Sequence, residues 1–240
     1  MTTIALNLHH VRDQMLTACI AAGRHPDSVQ LLAVSKTFGP DCVREAATTG
    51  QRAFGENYIT EGVEKIQSLA DLRAQLVWHC IGPVQSNKTR GVAEHFDWVQ
   101  SVDRLKIAQR LSEQRPAGLP PLQICLQVNI DGGANKSGVT PDALQALAEE
   151  VLQLPNLVLR GLMMIPEPAA NFEAACAVNA SAKAVFDALN RSLVAAGRLP
   201  APLDTLSLGM TSDLEAAIHS GSTMVRVGSA IFGRRQTTPS

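Results

Sequence analysis

Short apolar runs alternate with longer amphipathic segments along almost the whole chain. The apolar runs have the length and composition of buried strands, and the longer segments repeat apolar residues at helical spacing. The pattern predicts strands over residues 31–35, 53–56, 76–81, 97–100, 122–130, 157–162, 205–208 and 224–227. It predicts helices over residues 6–22, 40–49, 58–72, 87–95, 103–114, 142–152, 171–196 and 213–220.

Strict alternation of strands and helices indicates a parallel sheet. Eight strand–helix units in a chain of 240 residues fit a closed barrel of the usual size. The predicted fold is therefore α/β, a single (β/α)8 TIM barrel with an extra N-terminal helix. A doubly wound open sheet is the alternative, because periodicity alone does not show closure. We expect the barrel to take up residues 1–235 and residues 236–240 to form a tail.

Polar and glycine-rich segments follow the carboxyl ends of the predicted strands, where barrels of this type place their active groups. Lys36 follows the first strand, Asn57 follows the second, and the third strand carries His79. These positions would lie on one rim of the barrel. The last two strands add Ser207, Met210, Thr211, Arg226, Gly228 and Ser229 to the same rim.

Lys36 is the sharpest of these features, because a lysine directly after an apolar strand points into or across the barrel mouth. Loss of water around such a lysine favours its free amine, which is the nucleophile that forms a Schiff base with an aldehyde. The alternative is a lysine whose ammonium group reaches solvent.

The ends of the seventh and eighth strands carry a second signal. Gly209 and Gly228 let the backbone approach a ligand closely, and Thr211 and Ser229 add hydroxyl groups. Barrels commonly bind phosphate at these two loops, and a short helix after Gly228 would point its N-terminus at an anion. The alternative is a pair of ordinary turns with helix caps.

Arg226 lies inside the apolar strand MVRV, where a charge is costly unless it is bonded. It either pairs with a carboxylate or faces a bound ring.

Composition narrows the partners. The chain has 21 basic and 22 acidic residues and no basic run, which argues against nucleic acid or an anionic membrane as a partner. Its 5 cysteines are widely spaced without a C-x-x-C pair, which argues against disulfides and thiolate metal sites. The 6 histidines show no metal-ligand spacing, so no metal is expected. No signal peptide or apolar stretch of about 20 residues occurs, so we expect a cytoplasmic protein.

Seven segments resemble the YggS/PROSC family of pyridoxal phosphate homeostasis proteins, in the right order and over nearly the whole chain. Each segment alone is weak, but together they are specific. The segments are AVSKT (33–37), FGENY (54–58), WHCIGPVQSNK (78–88), NKSG (135–138), RGLMMI (160–165), SLGMTSDLEAAI (207–218) and STMVRVGSAIFG (222–233).

The resemblance implies the barrel of alanine racemase without its second domain, with pyridoxal 5′-phosphate (PLP) held as a Schiff base on Lys36. Arg226 is implied to face the pyridine nitrogen, while Asn57 and His79 line the pocket. The family usually has serine at the position of Thr211, and the hydroxyl is kept. The implied phosphate ligands are Ser207, Met210, Thr211, Gly228 and Ser229.

The chemistry of these residues also predicts that the protein is a weak catalyst. Arginine cannot protonate a pyridine nitrogen, so the ring would be a poor electron sink. Racemisation also needs an acid or base on each face of the cofactor. The only tyrosine that could serve as the second one is Tyr58. We predict a PLP-binding protein of vitamin B6 homeostasis that holds PLP without efficient catalysis. The alternatives are a slow PLP-dependent amino-acid racemase or lyase and a PLP-free Schiff-base aldolase.

We expect the protein to release PLP to apo PLP enzymes. A second lysine, Lys136 in a glycine-rich loop or Lys88, is the hypothetical carrier in that step. We expect a monomer, because the missing second domain removes a racemase-like dimer contact.

Overall fold

The computed structural model describes residues 2–133 and 136–233. Its strands are β1 (Gln30–Val34), β2 (Ala53–Glu56), β3 (Val77–Cys80), β4 (Trp98–Val102), β5 (Leu122–Val128), β6 (Leu157–Met164), β7 (Thr205–Met210) and β8 (Met224–Val227). Its helices are α1 (Thr3–Ala21), α2 (Pro40–Thr48), α3 (Ile59–Ser68), α4 (Thr89–His95), α5 (Leu105–Gln114), α6 (Pro141–Val151), α7 (Phe172–Ala195), α8 (Leu214–His219) and α9 (Ser229–Phe232).

The eight strands form one closed parallel barrel in chain order, which confirms the predicted (β/α)8 fold and excludes the open sheet. Closure occurs where β1 pairs with β8, with Leu32 opposite Arg226 and Ala33 opposite Val227. The extra helix α1 packs against α8 and α9 beside this seam. The predicted tail, residues 236–240, lies outside the described residues. None of the helices described is long and apolar enough to cross a membrane.

Several element ends differ from the prediction. Strands β4, β6 and β7 each continue two residues further, because the last residue of each is still paired with one neighbouring strand: Val102 with Leu126, Met164 with Val128 and Met210 with Arg226. Strand β5 instead stops at Val128. Beyond it, the Asn129 side chain donates to the Gly133 carbonyl at 2.9 Å and accepts from the Gly132 N–H at 3.1 Å. Such side-chain bonds favour a turn over a strand.

Two predicted helices contain 3₁₀ turns. The helix predicted over residues 58–72 ends at Ser68, and a separate turn, Ala70–Leu72, follows. Leu69 at the break is almost completely buried, so the change of direction brings an apolar side chain into the core. The helix predicted over residues 87–95 begins with the turn Ser86–Lys88.

Buried apolar side chains lie in two regions, one between the strands and the helices and one inside the barrel. The main apolar core lies between strands and helices and includes Leu8, Phe54, Trp78 and Phe96, all fully buried. A small cluster of Leu32, Ala53 and Met224 is separate from it. Leu32 lies opposite Arg226 in the β1–β8 register, so this cluster shares the inside of the barrel with polar side chains.

Gly161 permits a close approach between β6 and β7. A Cβ atom at this position would lie 1.7 Å from the Thr205 carbonyl oxygen, a distance that no side chain tolerates. The backbone of β7 would therefore have to move, and β7 carries the rim residues Met210 and Ser207.

We expect Gly161→Ala to lower the free energy of unfolding by about 1–3 kcal/mol or more, as overpacking does in a dense core. Urea denaturation of the purified protein measures this change. Gly118→Ala is the matched control, because Gly118 has nothing within 4 Å of its added Cβ atom. Equal midpoints for the two variants would show that the strands tolerate the extra atom.

Candidate cofactor-binding site

Lys36 lies just beyond β1, at the carboxyl end of the barrel, with its side chain half-buried. The loop after β8 lies beside it, since a Cβ atom on Gly228 would be 3.1 Å from the Val34 carbonyl oxygen. The structure therefore brings Lys36 and the Gly228–Ser229 turn together on one rim, although they come from opposite ends of the chain.

Arg226 is buried, with 5% of its surface exposed. Its Nη1 donates to the Ser207 hydroxyl at 2.7 Å and its Nη2 donates to the Met164 carbonyl at 2.8 Å. Burial lowers the pKa of Arg226 to about 10, so the guanidinium remains charged at neutral pH. Within the described chain no carboxylate pairs with it, and its Nε–H has no acceptor. That donor is available to a bound molecule.

A chain of polar side chains continues from Arg226 across the barrel. The Ser207 hydroxyl donates to Gln100 Oε1 at 2.6 Å, and Gln100 Nε2 lies 2.9 Å from His79 Nδ1. Ser207 thus both accepts from Arg226 and donates to Gln100, and its side chain is fully buried. Its expected role as a phosphate ligand stays a prediction. Within the protein this hydroxyl already has Arg226 as a donor and Gln100 as an acceptor.

His79 is fully buried and stacks on Trp98, with ring centroids 5.0 Å apart. Burial lowers the pKa of His79 to about 3, so the imidazole is neutral at physiological pH. With Gln100 donating to Nδ1, the ring proton resides on Nε2, which has no partner in the described chain. The Asn57 Oδ1 atom is also buried without a partner. Unpaired polar atoms of this kind are costly unless a ligand or water binds them.

The loop after β7 presents hydrogen-bond donors to solvent. Met210 and Thr211 are exposed, and the Met210 N–H donates to Asp213 Oδ1 at 2.8 Å, which shapes the turn. The N–H groups and hydroxyls of Thr211 and Ser212, and the hydroxyl of exposed Ser229, find no acceptor in the described residues. These groups are suited to binding an anion.

Glycine is required near the end of β7, just before this loop. Gly209 has φ +95°, and a Cβ atom there would lie 2.4 Å from the Ala217 side chain. The close packing of β7 against α8 depends on this position.

Sequence reasoning missed a buried ion pair behind Lys36. Lys65 Nζ lies 2.6 Å from Glu56 Oε1, with 3% and 0% of the two side chains exposed. Burial raises the pKa of Glu56, and the contact with Lys65 opposes that rise. The available signal was Glu56 at the end of the short apolar strand AFGE, since a carboxylate there needs a cation.

Gln100 was also missed. It was included in a predicted strand, but nothing in the sequence showed that it bridges His79 and Ser207.

The two other lysines considered for PLP transfer lie in ordinary polar contacts. Lys88 Nζ donates to the Thr60 hydroxyl at 3.2 Å. Lys136 Nζ lies 2.6 Å from Asp131 and 2.8 Å from Glu167, and hydrogen bonds to these carboxylates raise its pKa. Both contacts therefore favour its ammonium form. Asn135, the first residue of the NKSG segment, lies outside the described residues.

Metal-ligand groups are absent from the described part of the chain, where no three His, Cys, Asp or Glu side chains come together. Burial raises the pKa of Cys80 and Cys125 to about 12, so these thiols remain protonated.

Solved structures share the fold. PipY of Synechococcus elongatus, determined without PLP, superposes with a TM-score of 0.83 at 38% identity and covers 96% of this chain and 100% of PipY. PipY with PLP bound gives a TM-score of 0.81 at 36% identity. Alanine racemase from Corynebacterium glutamicum is 16% identical with a TM-score of 0.63, and this chain spans 63% of it. That likeness shows the fold alone.

Sequence comparison gives the family. The model described as alanine racemase, N-terminal domain, matches residues 7–236. A pyridoxal phosphate homeostasis protein of Pseudomonas aeruginosa is 58% identical over 235 residues, which cover 98% of this chain and 97% of that protein. The chain belongs to the alanine racemase N-terminal domain family and, within it, to the YggS/PROSC family of pyridoxal phosphate homeostasis proteins.

Proposed function

We propose that this protein binds PLP as a Schiff base on Lys36 and acts in intracellular PLP homeostasis. The observation that carries the proposal is that β7, β8 and β1 are adjacent in the barrel: Lys36 follows β1, the buried Arg226 lies near the end of β8, and unpaired donors follow β7. The name of the Pseudomonas aeruginosa relative and the PLP-bound structure of PipY support it.

The residues present fit each part of the cofactor. PLP supplies an aldehyde, which condenses with a primary amine with loss of one water molecule, and Lys36 offers that amine. The exposed donors of Thr211 and Ser229 suit the phosphate, together with the backbone at Gly228. The Met210 N–H would have to leave Asp213 Oδ1 before it could join them. The free Arg226 Nε–H suits an unprotonated pyridine nitrogen, because arginine donates but does not give up its proton.

The buried unpaired atoms complete this fit. His79 Nε2 and Asn57 Oδ1 lack partners in the described chain, and we propose that both atoms line the cofactor pocket.

The same contacts favour a carrier over an enzyme. Arg226 has no carboxylate beside it in the described chain, so nothing there would keep the pyridine nitrogen protonated. Tyr58 is 52% exposed, and so it is poorly placed to act as an acid within a closed site. His79 remains neutral and fully buried. We therefore propose that the protein holds PLP without efficient turnover of amino acids.

Transfer of PLP to apo enzymes by a monomeric carrier completes the proposal. If Lys136 takes part in transfer, it must first leave Asp131 and Glu167, because only a free amine would attack the Schiff-base carbon, and that attack would release the Lys36 amine. Release would then be coupled to the breaking of these two contacts.

We expect borohydride reduction of the PLP-loaded protein to fix the pyridoxyl group on Lys36. Peptide mapping by mass spectrometry locates the label, and Lys36→Ala should abolish the visible absorption of the loaded protein. Lys106→Arg, an exposed change on α5, serves as the control. A label found mainly on Lys88 or Lys136 would overturn the assignment.

Changing Thr211 and Ser229 together to alanine should weaken PLP binding far more than pyridoxal binding. Each lost hydrogen bond to a charged phosphate oxygen is worth roughly 1.5–3 kcal/mol. Equilibrium titration with both ligands measures the difference, and Ser181→Ala on the exposed face of α7 is the control. Equal weakening for both ligands would count against a phosphate role.

The PLP-loaded protein should transfer its cofactor to an apo enzyme without turning over amino acids. Separate incubation with both enantiomers of each common amino acid, followed by chiral and keto-acid assays, measures turnover. A rate near the typical enzyme median of about 10 per second would defeat the carrier proposal.

A further inference from the structure

The backbone on both sides of Lys36 is tied to an ionic cluster of buried Glu56, buried Lys65 and partly exposed Glu61. On one side, the Ser35 hydroxyl donates to Glu56 Oε1 at 2.6 Å, and Lys65 Nζ donates to the Ser35 carbonyl at 2.8 Å. This cluster contributes none of the groups proposed to contact PLP, so its role requires a separate explanation.

The other side of Lys36 has an unusual backbone conformation. Thr37 has φ +68°, and Asn156 is the only other non-glycine residue with positive φ in the described chain. A β-branched residue is strained in this region and persists only where its surroundings hold it. The Thr37 N–H donates to Glu61 Oε1 at 2.6 Å, which is a short charge-assisted hydrogen bond.

Lys65 joins the two sides. Its Nζ donates to Glu56 at 2.6 Å, to Glu61 at 3.1 Å and to the Ser35 carbonyl, so all three ammonium protons have acceptors. Glu61 and Lys65 lie one turn apart on α3, which gives the cluster a rigid base. A lysine bonded in this way is not available as a second cofactor lysine.

We propose that Glu61, supported by Lys65 and Glu56, is a positioning group that holds the Ser35–Thr37 backbone so that the Lys36 amine faces the cofactor. The inference rests on the proposed function, because it presupposes that Lys36 bonds to PLP. It adds a role for the strained turn: the bond to Glu61 selects the positive φ of Thr37, and this conformation sets the direction of Lys36.

Glu61→Ala is the first test, since Glu61 is partly exposed and the variant should fold. We expect capture of PLP on Lys36, measured by visible absorption and borohydride trapping, to weaken about 5- to 100-fold. Affinity for 4′-deoxypyridoxine 5′-phosphate, which lacks the aldehyde, should stay within about twofold, because that ligand does not need Lys36. In the protein without PLP, hydrogen exchange at the Thr37 amide should accelerate. Glu64→Ala, an exposed change on the same helix, should leave all three measurements unchanged.

Rescue by glycine is the second test. Glycine adopts positive φ without strain, so Thr37→Gly in the Glu61→Ala background should restore PLP capture. Glu61→Gln keeps an acceptor oxygen and should lie between the wild type and Glu61→Ala.

Three results would overturn the inference: normal capture by Glu61→Ala, equal loss of PLP and the deoxy analogue, or no rescue by Thr37→Gly. If the wild type captures no PLP on Lys36, the proposed function fails instead. In that case exchange at the Thr37 amide still shows whether Glu61 holds the turn.

Discussion

The buried guanidinium of Arg226 is the constraint on which the polar interior depends. A charge inside a barrel is costly unless it is hydrogen-bonded, and here each terminal nitrogen donates one hydrogen bond, to a serine hydroxyl and to a backbone carbonyl, rather than to a carboxylate. That solution fixes Ser207, which in turn orients Gln100, which in turn fixes the tautomer of His79. A continuous series of hydrogen bonds from β8 to β3 thus begins at the Arg226 side chain.

A second polar system contacts Ser35 and Thr37, the residues on either side of Lys36. The cluster of Glu56, Glu61 and Lys65 contains its own cation and two carboxylates, whereas Arg226 has no carboxylate partner in the described residues. The difference matters chemically. A guanidinium without a carboxylate keeps an Nε–H donor for a ligand, while an ammonium surrounded by acceptors has none left and serves only structure.

Much of this molecule could be predicted from sequence, because its fold depends on periodicity. Alternating strands and helices gave the barrel, and an arginine inside an apolar strand marked an interior polar site. The hydrogen-bond partners of individual side chains could not be predicted. Lys65 has the spacing of an ordinary helix residue, and Gln100 was simply part of a strand, since no local pattern shows which side chains meet across a barrel. The strained Thr37 was hidden for the same reason, because its conformation depends on a hydrogen bond from another element.

The seam between β1 and β8 places the first strand of the barrel beside the last. Lys36 and Gly228 are separated by nearly the whole chain, and they become neighbours only when the last strand closes the ring. Such long-range pairing is slow to form, because the intervening chain must first be brought together. A nascent chain emerging from the ribosome would therefore lack the site until β8 is free, and loading with cofactor would mark a chain whose barrel has closed.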